Sequence, residues 1–207
     1  GITTTGSTVF SELDKMPKGL LLWRGILQWL GGIGIIIVAM VFLPELRVGG
    51  MQIFRAEGFD TLGKILPRAT TIAFQISIIY VGITIACGLA YVLAGMSFFD
   101  AVVHSFTTVA TGGFSNYDGS FSVFSWQVEY VAILFMILSA LPFVRYVQLI
   151  NGQATAVFKD PQVKTFIFLI CILVVLSTLV LSLQLNLSFE LVFRKALFNI
   201  CLLYTSP

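Results

Sequence analysis

The chain has 207 residues, 57% of them hydrophobic and 11% charged, where soluble domains carry about 25% charged residues. With a mean hydropathy of +0.97, this excludes a soluble globular domain and points to an all-α integral membrane protein. The formal net charge of +2 is too small for a nucleic-acid partner, and Cys87, Cys171 and Cys201 are too scattered for a disulfide framework or metal site.

The chain opens Gly1-Ile2-Thr3-Thr4-Thr5-Gly6, without an initiator Met or a signal peptide, and is expected to be an internal fragment. After a polar stretch, Leu20 to Leu43 is a 24-residue apolar run interrupted only by Arg24 and Gln28, enough for a membrane span. Trp23 and Trp29 mark the end nearer its start as interfacial. Gly31-Gly32-Ile33-Gly34 reads as a close-packing surface, since no strand precedes it and no Gly-Lys-Ser/Thr follows. Pro44 ends the span, and residues 45 to 68 form a charged loop. A second span is predicted from Ala69 to about Gly95. Its Thr71, Gln75, Ser77 and Thr84 are expected to bond neighbouring helices or their own backbone.

Next comes Ser97 to Ser115, where a helix-start signal, Ser97-Phe98-Phe99-Asp100, leads into about a dozen mostly apolar residues that break at Ala110-Thr111-Gly112-Gly113. Such a helix reaches about 18 Å, against about 30 Å of bilayer core, so it is expected to enter the membrane and turn back. A third span is predicted from Trp126 to about Val144, with Asp118 and Glu129 near the interface, Trp126 and Tyr130 as its aromatic belt and Pro142 kinking its inner end. No Lys or Arg occurs between Arg68 and Arg145, which makes the loops at 44 to 68 and 145 to 164 cytoplasmic and brings the short helix in from outside. Lys15, Lys18 and Arg24 run against that scheme. Asp160-Pro161 caps a fourth span, from about Val163 to Leu185, and Phe189 to Ile200 is a second short apolar segment.

The pattern repeats. Thr5-Gly6 aligned with Thr111-Gly112 gives an offset of 106 residues that also carries Leu20 onto Trp126, and a second alignment places Ala196 on Ala101 and Asn199 on His104. The predicted unit is span, pore helix, Thr-Gly filter loop, span. Residues 1–43 end a first copy, 44–66 form a cytoplasmic loop, 67–150 make a complete second copy, 151–162 form another cytoplasmic loop, and 163–207 start a truncated third. One unit cannot surround a pore, so several must pack about an axis.

A cation entering a membrane exchanges water for oxygen ligands, and backbone carbonyls supply them without burying fixed charge. Glycine lets alternate carbonyls turn inward, Thr adds a hydroxyl, and the C-terminal end of the short helix, worth about half a negative charge, favours a cation over an anion. The candidate ion-binding residues are therefore Thr4, Thr5, Gly6, Ala110, Thr111, Gly112 and Gly113. His104 reads as a packed, hydrogen-bonded residue and Asp118 as a solvated loop carboxylate. The spans carry no paired carboxylates, Ser/His pair or metal ligands, so neither an enzyme nor an organic cofactor is expected.

Thr3-Thr4-Thr5-Gly6-Ser7-Thr8, Leu27-Gln28-Trp29-Leu30-Gly31-Gly32-Ile33-Gly34, Arg47-Val48-Gly49-Gly50-Met51-Gln52, Leu66-Pro67-Arg68-Ala69 and Thr107-Thr108-Val109-Ala110-Thr111-Gly112-Gly113-Phe114-Ser115 together closely resemble the membrane subunits of the Trk/Ktr/HKT potassium transporter family. The resemblance covers nearly the whole chain. It implies potassium uptake through four such units around one pore, each giving one filter loop with a key glycine. It further implies a lipid-embedded homodimer in a bacterial cytoplasmic membrane, gated by a cytoplasmic nucleotide-binding regulatory subunit of the TrkA type. By that resemblance Thr4, Thr5 and Gly6 form the first filter loop and Ala110, Thr111 and Gly112 the second, with K+ at Thr4, Thr5, Thr111 and Gly112. The chain departs from the family where Ser206-Pro207 stands at the position of Thr111-Gly112, so Cys201 to Pro207 is expected to be a truncated or miscalled end. Alone, the chain is not expected to conduct. The alternative readings are another cation channel or transporter subunit, or a structural membrane fragment without a pore.

Overall fold

The computed structural model describes residues 2–6, 10, 12–42, 69–152, 160–184 and 187–205, with only the helical backbone described over 35–42 and 69–72. The predicted cytoplasmic loop at 44–66, most of that at 151–162, Ser7-Thr8 and Ser206-Pro207 lie outside the described residues. Among the described residues the regular structure is entirely helical: α1 Lys18–Phe42, α2 Ala69–Leu93, α3 Phe98–Val109, α4 Trp126–Ala140, α5 Phe143–Ile150, α6 Pro161–Gln184 and α7 Phe189–Thr205, with short 3-10 turns at Leu13–Lys15 and Ser120–Val123.

Length and hydropathy set the long helices. Ala73–Leu93 of α2 and Pro161–Gln184 of α6 are long and apolar enough to cross a membrane, with mean hydropathies of 2.2 and 3.0. α2 is apolar all round. Ile76, Tyr80, Cys87 and Tyr91 are buried at helical spacing on one side, while Phe74, Ile78, Ile85 and Leu89 stay exposed on the other. An exposed face as apolar as the buried one is what a helix presents to lipid rather than to water. Asp160 caps α6 by accepting the Gln162 N–H (2.8 Å), with Pro161 at the first helical position.

The third predicted span is not one kinked helix. α4 stops at Ala140, and α5 leaves it at 85°. Pro142 causes this locally: it forces Leu141 into an extended conformation (φ −71°, ψ 147°) and has no N–H to give to the Leu138 carbonyl. The Tyr146 hydroxyl donates to that carbonyl instead (2.6 Å). An ion pair between Arg145 and Asp160 then ties α5 to the start of α6, and Arg145 also donates to Gln148.

The packing places α3 against α1, α2 and α4, so the short helix is enclosed by three longer ones. α7 is held similarly, by α4 and α6. It continues past the predicted end at Ile200 to Thr205, with Cys201 buried.

Candidate ion-binding loops

α3 begins with reciprocal capping. The Ser97 hydroxyl accepts the Asp100 N–H (3.2 Å) and donates to the Asp100 carboxylate (2.7 Å). That buried carboxylate also accepts from Asn116 (2.9 Å) and from the Tyr117 hydroxyl (3.0 Å), which folds the segment after the loop back along the helix. His104 completes the same seam. Its Nδ1 lies 2.8 Å from the Asp100 carbonyl, which can only accept, so Nδ1 carries a proton, and its Nε2 is hydrogen-bonded to Ser115 Oγ (3.1 Å). The ring is fully buried, edge-on to Phe121 and Phe124, as a packed, hydrogen-bonded residue.

At its other end α3 closes in a Schellman motif. The Thr111 N–H bonds to the Thr108 carbonyl and the Gly112 N–H to the Thr107 carbonyl, both at 3.0 Å. The left-handed position that this motif needs is usually glycine; here Thr111 holds it, at φ 53°. Gly113 follows at φ 70°. Among the described residues no donor bonds to the carbonyl oxygens of Ala110, Thr111, Gly112 or Gly113.

The first loop has the same backbone, with Thr4 at φ 50° and Gly6 at φ 71°. Conformation therefore pairs Thr4 with Thr111 and Gly6 with Gly113, one residue out of register with the alignment of Thr5-Gly6 on Thr111-Gly112. Matching residue types put Gly6 opposite Gly112. Matching the left-handed positions puts it opposite Gly113, because Thr occupies the first such position in both loops. The two loops touch: a Cβ on Gly6 would collide with the Gly112 carbonyl oxygen. Thr4, Ala110 and Gly112 are buried, Gly6, Thr111 and Gly113 half-buried, and Thr5 exposed.

α1 backs the second loop through one face. A Cβ on Gly25 would meet Val103 at 3.0 Å, and one on Gly32 would meet the Tyr80 hydroxyl at 2.7 Å and Ala110 at 3.0 Å, so both glycines allow close approach. Between them the fully buried Gln28 accepts the Phe114 N–H (3.3 Å), and the Arg24 guanidinium lies 4.5 Å from the centre of the Phe114 ring. Trp29 donates to Thr84 (3.0 Å), while Tyr80 donates to the Trp29 carbonyl (2.9 Å). Ser77 and Thr84 also donate to their own helix, to the Ala73 and Tyr80 carbonyls, as expected of polar residues in a span. On the far side Tyr91 of α2 bonds Thr108 of α3 (2.7 Å), just behind the loop.

The two carboxylates expected near the interface both have partners. Asp118 accepts the Leu13 N–H (3.2 Å), tying the second loop region to the first. Glu129 is buried and paired with Arg194 (2.7 Å) and Lys195 (2.5 Å) of α7. Gln28 lies within one of the stretches that carry the family resemblance but, like Glu129, is not singled out as a site residue. The available signal was a polar residue within or beside an apolar run, which by default needs an internal partner. Among the described residues no group of three or more His, Cys, Asp or Glu side chains comes together. The oxygens these loops offer a cation are backbone carbonyls and Thr hydroxyls.

The family model described as TrkH, cation transport protein, matches residues 1–200. The chain is 44% identical over 180 residues to the Trk system potassium uptake protein TrkI of Halomonas elongata, covering 86% of this chain and 37% of that protein. It is 43% identical over 185 residues to the Trk system potassium uptake protein TrkH of Escherichia coli K12, covering 87% and 38%. Among solved structures it resembles the potassium transporter TrkH from Vibrio parahaemolyticus, with a TM-score of 0.81 at 36% identity over 97% of this chain and 41% of that one. The chain thus spans about two fifths of the length of these relatives.

Proposed function

The chain belongs to the TrkH family of cation transport proteins, and from that premise we propose that it forms part of a potassium-uptake pore, with residues 4–6 and 110–113 as two walls of its selectivity filter. The observation that carries this reading is the shared backbone of the two touching loops, left-handed at Thr4 and Gly6 and again at Thr111 and Gly113. Left-handed residues at alternate positions turn successive carbonyls toward one side, which a ring of ion ligands requires. Carbonyls that no donor among the described residues bonds, at the negative end of a half-length helix, suit a cation held by neutral oxygens. The names of the relatives, as potassium uptake proteins, support potassium as the cation.

In this reading the segments 1–43, 67–150 and 163–207 belong to three successive pore units, and the pore closes around a fourth. The multi-pass protein sits in a bacterial cytoplasmic membrane as a homodimer, under a cytoplasmic nucleotide-binding regulatory subunit. The glycine whose backbone matters in the second loop is Gly113 rather than Gly112. Gly112 serves close packing, since a Cβ there would overlap the Gln28 amide.

The test is ion uptake by the full-length transporter in a strain lacking its own potassium uptake. Gly113→Ala places a Cβ on a left-handed residue and against Leu202. Potassium-over-sodium discrimination is expected to fall about tenfold or more, the equivalent of about 1.4 kcal/mol. Selective uptake at the parent level would overturn the filter assignment.

A further inference from the structure

Gln28 belongs to the helix that follows the first loop, yet its side chain is buried against the second. Its Oε1 accepts the Phe114 N–H, while its Nε2 is buried without a hydrogen-bond partner. An amide inside an apolar helix with one group unpaired is a net cost that Leu or Met would avoid, so packing alone does not account for it. What the amide does supply is direction. In a trans peptide the N–H and the preceding carbonyl point opposite ways. Holding the Phe114 N–H toward α1 therefore aims the Gly113 carbonyl away from α1. The next peptide is fixed from the α3 side, where Thr107 Oγ1 donates to the Phe114 carbonyl (2.8 Å).

We infer that Gln28 is a positioning residue for ion selectivity: by accepting the Phe114 N–H it orients the Gly113 carbonyl, and so makes one pore unit hold the filter loop of the next. This rests on the filter reading of residues 110–113. It also assigns α1 a role in selectivity beyond packing, because the bond crosses between segments 86 residues apart.

Potassium and sodium uptake would be measured in the full-length transporter carrying Gln28→Met, which keeps the length but removes the carbonyl acceptor, and Gln28→Glu, which retains an acceptor. Membrane levels would be determined by immunoblot, with Gly113→Ala run in parallel. Gln28→Met is expected to lower the potassium-over-sodium ratio about fivefold or more at parental membrane levels, the effect of one lost hydrogen bond. Gln28→Glu is expected to stay within about twofold of the parent. A parental ratio in Gln28→Met alongside a collapsed ratio in Gly113→Ala overturns the role of Gln28 while leaving the filter reading intact. A parental ratio in Gly113→Ala overturns both. If Gln28→Met fails to accumulate, Gln28→Glu decides: retained selectivity supports the acceptor role, and lost selectivity at normal levels overturns it.

Discussion

Thr111 sits where a helix C-terminus ordinarily has glycine, and its left-handed backbone costs a β-branched residue about 1–2 kcal/mol. Thr4 carries the same strain in the loop it touches. Strained residues held by their surroundings collect at functional sites, and here both Schellman bonds, the Gln28 contact and the Thr107 bond fix the segment around Thr111. Thr111→Gly relieves the strain and removes the hydroxyl. The purified transporter is expected to melt no lower than the parent, while potassium-over-sodium discrimination falls. A variant less stable than the parent would show that Thr111 is there for packing.

Among the elements, α7 is joined to α4 by charge. Glu129 is buried between Arg194 and Lys195, and Arg194 reaches on to Glu190 (3.0 Å). Removing one partner of a buried ion pair leaves the other charge unpaired, at a cost of about 3–5 kcal/mol. Glu129→Gln removes the carboxylate shared by both cations and leaves Arg194 its pair with Glu190, so the melting temperature in detergent is expected to drop by several degrees. Glu190→Gln, at an exposed partner, is expected to change it little. The α4–α5 break needs no such long-range partner. Pro142 removes the N–H and Leu141 takes the extended backbone, and both effects are written in the dipeptide.

At the scale of the whole molecule, α3 is fixed by three helices drawn from both sides of it in sequence, and the close approach of α1 depends on Gly25 and Gly32. Gly32→Val would press on the Tyr80 hydroxyl and on Ala110 together, and overpacking of this kind costs about 1–3 kcal/mol. A lower melting temperature is expected, together with altered ion discrimination if residues 110–113 line the proposed filter, because Ala110 is displaced. Gly34→Val, whose Cβ meets nothing within 4 Å among the described residues, is the matched control and is expected to behave as the parent.

Much of this was determined by sequence alone. Hydropathy and length gave the membrane class and the long helices, Ser97 and Asp100 gave the start of the short helix, and the Ala110-Thr111-Gly112-Gly113 break gave its end, since each depends on residues within a few positions of one another. Tertiary structure decided the register of the two loops and the partners of Gln28, Asp118 and Glu129. Residue type aligned Gly6 with Gly112; the backbone dihedrals paired it with Gly113 instead. Each polar side chain announced that it needed a partner. Which partner it found depended on helices 65 to 105 residues away, brought together by packing that leaves no periodic trace in the sequence.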